Sequence, residues 1–322
     1  MGGLYFAGAR LGVAASAMSE GIAIFWLPNG VLLAALLLTR VRAWPLYLAA
    51  AVLAEILADM PAFTLTQALG FAVANLFECL LAAILLRRLV NPFTFDRLRN
   101  VVWFGAIALV LAPGLAALPG AAVYVLDGAS SGSFWSYWRI WWMGDSLGML
   151  LIVPLLLCWL SPKRTIHWWR ALEGAGVAAS LAVLAWWIFM RKAGDPGQFP
   201  SSPFLLLPVL LWPAVRFGVR ETAAGGLLVA IVVILANLNG LGPFMSDSPT
   251  MTVLKVQEYL ATLLFSSVAL AALLQELRDR NKNLLAREQE LSESQAAVRR
   301  LNQELESRVR ARTEELQEAN QL

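Results

Sequence analysis

Histidine, cysteine and charge are all scarce in this sequence. The single histidine, His167, excludes a multi-histidine metal or haem site within the chain. The two cysteines, Cys79 and Cys158, both lie inside apolar runs. They supply neither a disulfide framework nor a metal-ligand spacing, so no metal and no cofactor is expected. Charged residues make up 15% of the chain, against about a quarter of a soluble domain. No cleavable secretory signal stands at the start; "MGGLYFAGARLG" reads as a first helix. There is no nucleophile–base pair and no phosphate-binding loop, which places a catalytic role last. Nucleic acid is not an expected partner.

What is present is apolar. Hydrophobic residues reach 59% and the mean hydropathy is +0.64. The few charges are concentrated beyond residue 275. A spanning helix needs about 20 mostly apolar residues. The pattern predicts ten spans, at 3–18, 22–39, 44–60, 65–86, 101–125, 137–160, 173–190, 203–215, 222–238 and 257–276. The first is short and contains Arg10. The eighth carries prolines at 203, 208 and 213, which should kink or break it. Loops after even-numbered spans hold eleven Lys and Arg, from Arg40 to Arg220, against Arg191, Lys192 and Lys255 on the other side. The positive-inside rule then places both termini in the cytoplasm. The expected fold class is all-α: a polytopic transmembrane helical bundle of about ten spans, followed by a cytoplasmic parallel coiled coil. The expected domains are 1–276, a membrane sensor, and 277–322, a signalling tail.

The tail expectation rests on Leu277, Leu284, Leu291, Val298 and Leu305, which recur every seven residues among charged and amide residues. Such a seam predicts a parallel homodimer. Leu301, Leu305 and Val309 then step by four, followed by Leu316, a stutter that locally unwinds the supercoil. Neither glycine nor proline separates the last span from the tail, so one continuous helix is expected. The sequence stops without a globular domain, which leads us to expect an output domain beyond it.

The stretch "WSYWRIWWMGDSLG" (135–148) holds the most unusual chemistry. Trp135, Trp138, Trp141 and Trp142 suit an interfacial aromatic belt. Asp145 lies about 12 Å below the predicted helix start at 1.5 Å per residue, well inside the hydrocarbon. Arg139 is about 120° away around the helix and cannot face it. It shares a stripe with Trp135 and Trp142, where cation–π stacking is available. Asp145 shares a stripe with Trp138 and Trp142 and must find its partner on another helix or in a polar cavity. Gly144 and Gly148 form a small-xxx-small pair that admits a close neighbour. Asn75 and Glu78 share one face of the fourth span and are the expected neighbours of Asp145. In "FWLPNG" (25–30), Pro28 frees backbone groups and Asn29 with Gly30 can cap or unwind the break; Trp26 stands beside it. Glu55 and Asp59 close the third span, Glu20 lies in an outer loop, and Lys255 and Glu258 begin the tenth. Intramembrane ionisable residues mark functional sites or inter-helix polar contacts, and the sequence leaves both open for Asp145 and Glu78.

Four blocks in order, "FWLPNG", "NLFE" (75–78), "WWMGDSLGMLLIVP" (141–154) and "LPVLLWPAVRFG" (207–218), resemble the bacterial membrane-associated sensor domain called MASE, type one. The tail is similar to linkers preceding the core of sensor histidine kinases. The resemblance implies a multi-pass protein of the bacterial inner membrane. It would act as the input module of a two-component histidine kinase or of a cyclic-di-GMP cyclase or phosphodiesterase. With the heptad tail, the chain is expected to act as a homodimer in the lipid bilayer, with an unidentified small-molecule ligand or partner membrane protein as the signal. His167 does not suit a phosphoacceptor, being far from the coil. The competing reading from the residues is a small-molecule transporter or channel, since broken helices and buried charges also suit transport. The heptad tail argues against it.

Overall fold

The computed structural model describes residues 1–14, 24–60, 62–126, 133–160, 168–192 and 202–319. Glu20 and His167 lie outside them. The described residues are helical with no strand. The chain divides into two compact units, Met1–Gln275 and Glu276–Leu322.

A helix occupies each of the ten regions the sequence marks. They are α1 (Gly2–Ala14), α2 (Leu27–Leu38), α3 (Trp44–Asp59), α4 (Leu65–Leu89), α5 and α6 (Leu98–Phe104 and Ala112–Leu126), α7 (Phe134–Leu160), α8 (Trp168–Phe189), α9 (Leu206–Arg216), α10 (Val219–Leu238) and α11 (Pro249–Ala319). Seven are long and apolar enough to cross a membrane, with α5 and α6 counted as one helix, Leu98–Leu126. α1, α2 and α9 are shorter.

α3 is inverted relative to an amphipathic helix of a soluble protein. On α3, Leu46, Leu53 and Leu57 are exposed, while Ala51, Ala54 and Ala58 are buried beside Glu55 and Asp59. Large apolar side chains outside and small or polar ones inside are what a lipid-facing bundle requires, because helices in lipid associate through close packing and hydrogen bonds.

Three features of the sequence take a different form from the one expected. The "FWLPNG" stretch does not interrupt a long helix. Ile24–Trp26 are non-helical, and Pro28 sits in the first turn of a short α2, where its missing N–H costs nothing. In the eighth region the three prolines do not break the helix in its middle. Pro203 opens a 3-10 turn, Pro203–Leu205, Pro208 falls in the first turn of α9, and only Pro213 lies inside. The fifth region contains a π-helical segment, Gly105–Leu111, between α5 and α6.

In the second unit, α11 continues unbroken to Ala319. Leu277, Leu284, Leu291, Val298 and Leu305 are each more than half exposed, so this single chain leaves the stripe uncovered. Ion pairs Arg280–Glu276 and Arg308–Glu304, both 2.5 Å, run along the helix surface.

Candidate functional site

Five helices meet around a chain of buried polar side chains. Tyr5 of α1 donates its hydroxyl to Glu55 Oε2 on α3 (2.6 Å). Asn75 of α4 donates to Glu55 Oε1. Asn29 of α2 donates through Nδ2 to Asn75 Oδ1 (3.0 Å) and to Glu78 Oε2 (2.9 Å). The Glu78 carboxyl in turn adjoins that of Asp145 on α7. Asn29, Glu55, Asn75, Glu78 and Asp145 are all at most 3% exposed. Hydrogen bonding of this kind is what makes buried polar groups tolerable.

Local sequence sets each position. α2 starts deep in the bundle because α7 offers it glycine. The Trp26 N–H donates to the Gly144 carbonyl (3.1 Å). A Cβ on Gly148 would land on the Trp26 carbonyl, and one on Gly30 would lie 2.7 Å from the Gly148 oxygen. Backbone meets backbone, which puts Asn29 within reach of α4. On α4, Thr64 and Gln67 form a capping box. Phe63, just before the cap, packs edge-on against Phe71 at 5.2 Å.

Beside this network lies a cavity of about 450 Å³, counting the part that opens outward. Glu55, Asp59, Asn75 and Asp145 supply its polar lining. Trp26, Phe63, Phe71, Tyr124 and Trp141 supply aromatic surface, the last four within 6.2 Å of one another in a connected cluster. Asp59 Oδ1, Asp145 Oδ2 and the indole nitrogens of Trp26 and Trp141 are buried without a hydrogen-bond partner. The Trp141 ring lies beside Asp145 but outside hydrogen-bonding geometry. Among the described residues, no three acidic, cysteine or histidine side chains converge closely enough to hold a metal ion.

The structure therefore brings Asp145, Asn75, Glu78, Asn29 and Trp26 together, with Gly144, Gly148 and Pro28 shaping the approach. It does not bring in Trp138, Trp142 or Arg139. Pro113 has no N–H to give the carbonyl four residues back, that of Leu109. Trp142 Nε1 (2.9 Å) and Ser146 Oγ (2.6 Å) donate to that oxygen instead. Trp138 Nε1 donates to the Gly114 carbonyl (2.9 Å). These two tryptophans thus bind α7 to a distorted neighbour helix. Arg139 is exposed, and guanidinium–ring stacks form at Arg87/Trp44, Arg191/Trp187 and Arg220/Trp159, not at Arg139. Lys255 and Glu258 are exposed on α11 and do not line the cavity.

Tyr5, Phe63, Phe71, Tyr124 and Gln257 escaped the sequence reading, and Trp141, assigned there to the interfacial belt, lines the cavity instead. Trp141 had a signal: it stands four residues before Asp145, on the same side of the helix. Gln257, fully buried on α11, donates through Nε2 to the carbonyls of Ile24 (2.8 Å) and Ile140 (3.3 Å). Nothing in its local pattern marks it out.

If Trp142 and Ser146 jointly satisfy one freed carbonyl, removing both donors should cost more than the sum of the single changes. We expect Trp142→Phe or Ser146→Ala to cost about 1 kcal/mol each and the double variant about 3 kcal/mol or more, since only the double strands the Leu109 oxygen. Unfolding in mixed micelles measures this, and simple additivity would refute it.

A family model for MASE1 matches residues 1–278. Comparison with curated proteins and with solved structures finds no match. With a cavity of mixed aromatic and carboxyl lining inside an apolar helical bundle and a family match across most of the sequence, the chain belongs to the MASE1 family of membrane-associated sensor domains.

Proposed function

We propose that the cavity beside Asp145 receives the signal and that α11 carries it to a cytoplasmic output domain. The protein works as a parallel homodimer in the bacterial inner membrane, with its C-terminus in the cytoplasm. The output is the histidine kinase of a two-component system. The observation that carries this reading is Gln257. It joins the helix that continues into the heptad segment to the backbone of Ile24 and Ile140. Ile140 lines the cavity, and Ile24 leads directly into Trp26, which also lines it. A ligand that moves either segment moves the hydrogen-bond acceptors of α11.

The uncovered heptad stripe supports the dimer, because a solvated helix gains nothing from an apolar seam without a partner. A transporter would have no use for this tail.

A cysteine replacing Leu284 should crosslink to its twin in membrane vesicles. Asp145→Asn, which keeps size but removes the acid, should change the crosslinking yield severalfold at unchanged protein level. Failure to crosslink at all overturns the dimeric output. Unchanged crosslinking in Asp145→Asn, together with loss of stability in Asp145→Leu, would reduce Asp145 to a packing role.

A further inference from the structure

We propose that the ligand of this cavity is a small organic cation, an ammonium group carried on an apolar body. The inference rests on the reading of the cavity as the signal site and adds the chemical class of what enters it.

The charge accounting comes first. Among the described residues, three carboxyl side chains, Glu55, Asp59 and Asp145, line the cavity, and no lysine, arginine or histidine does. Glu55 has its oxygens engaged by Tyr5 and Asn75. Asp59 Oδ1 and Asp145 Oδ2 are buried with no hydrogen-bond partner, although the two residues are only 2% and 3% exposed, and the Glu78 carboxyl beside Asp145 adds a fourth acid rather than a cation. The nearby Arg10 turns its guanidinium to the Ala58 carbonyl (3.4 Å) and is itself exposed. Buried acceptors without a donor are costly unless something satisfies them.

The shape comes second. A bare metal ion needs converging ligands, and no such cluster forms among the described residues. The lining instead combines Glu55, Asp59 and Asp145 with the rings of Phe63, Phe71, Tyr124 and Trp141. Aromatic surface beside carboxyl groups suits a cation whose charge is diffuse and whose body is greasy. An anion would bring further acceptors to oxygens that already lack donors. A neutral apolar guest would leave both carboxyl oxygens as they are. The free indole N–H groups of Trp26 and Trp141 suit an oxygen on the same ligand.

The test uses the full chain in lipid nanodiscs. Tetramethylammonium and 2-phenylethylammonium are compared with 2-phenylethanol, phenylacetate and sodium chloride at matched ionic strength. Thermal unfolding and calorimetric titration are the readouts. At least one of the two ammonium ions should raise Tm with concentration, as a ligand of the folded state must. Asp145→Asn should weaken its apparent affinity at least tenfold. Asp59→Asn, nearer the end of its helix, should weaken it too, and serves if Asp145→Asn folds poorly. An equal rise with 2-phenylethanol, a rise with phenylacetate or sodium chloride, or no rise with either ammonium ion overturns the assignment. If both ammonium ions fail while Asp145→Asn still alters crosslinking at position 284, only the ligand class falls. If an ammonium ion binds and crosslinking never responds, the class stands and the signalling role falls.

Discussion

Gly148→Ala is expected to leave little folded protein in the membrane. The added methyl would fall on the main-chain carbonyl of Trp26, with the Leu27 nitrogen 3.1 Å away. Neither is the tip of a flexible side chain, so α2 must back away from α7. Ordinary overpacking costs about 1–3 kcal/mol, and here further losses are coupled to it. The Trp26 N–H loses the Gly144 carbonyl, Asn29 is drawn from Asn75 and Glu78, and the Ile24 carbonyl shifts from Gln257. Each loss strands a buried polar group worth about 1–3 kcal/mol. We expect a total loss above about 4 kcal/mol by that addition, read as loss of protease-resistant protein in membranes. Gly174→Ala on α8 is the control. Its Cβ would meet nothing within 4 Å, so alanine should be neutral or better, by about 0.5–1 kcal/mol, from helix propensity alone. Equal behaviour of the two variants would refute the close approach.

The contrast between those glycines marks how far the sequence can be read. Gly144 and Gly148, four apart beside an intramembrane aspartate, announce that some helix comes close. Which helix comes close depends on tertiary contact, and the partner is the first turn of α2. The Asn75–Glu78 face was legible for the same reason: spacing of three on a helix, with polar groups that cannot face lipid. Its meeting with Asp145 follows because few other places in the bundle accept a carboxyl group.

Trp138 and Trp142 show where such reasoning stops. Stripe geometry groups them with Asp145 as readily as it groups Trp141. The outcome turns on a carbonyl of another helix, that of Leu109, freed by Pro113. Both prolines of that helix are visible in the sequence, but the π-helical segment Gly105–Leu111 is not. The short α2 was misjudged for a related reason. Apolar residues continue through 22–39, and hydropathy cannot tell helix from the non-helical Ile24–Trp26 segment, whose backbone groups find partners on α7 and α11.

Replacing Gln257 should cut the signal while leaving its receiver intact. Besides Tyr259, whose hydroxyl donates to the Pro203 carbonyl (2.7 Å), two glutamines anchor α11 far apart within the first unit. Gln257 grips the Ile24 and Ile140 carbonyls, and Gln275 donates to Asp96 Oδ1 at 2.9 Å. They are separated by about 27 Å at 1.5 Å per residue, close to the thickness of a bilayer core. A helix held in this way transmits a shift or rotation imposed at the first point, because its own hydrogen bonds keep it stiff. Gln257→Leu preserves approximate volume and removes the donor. The Ile140 carbonyl still has its helical partner, so the main cost is the stranded Ile24 carbonyl, about 1–3 kcal/mol. The bundle should survive that loss. Cysteines at position 284 should still crosslink at their basal level, but the change produced by Asp145→Asn should disappear in the double variant. A double-mutant cycle on crosslinking yield measures this coupling directly. Full retention of the Asp145→Asn effect in the Gln257→Leu background would mean that the signal reaches α11 by another contact.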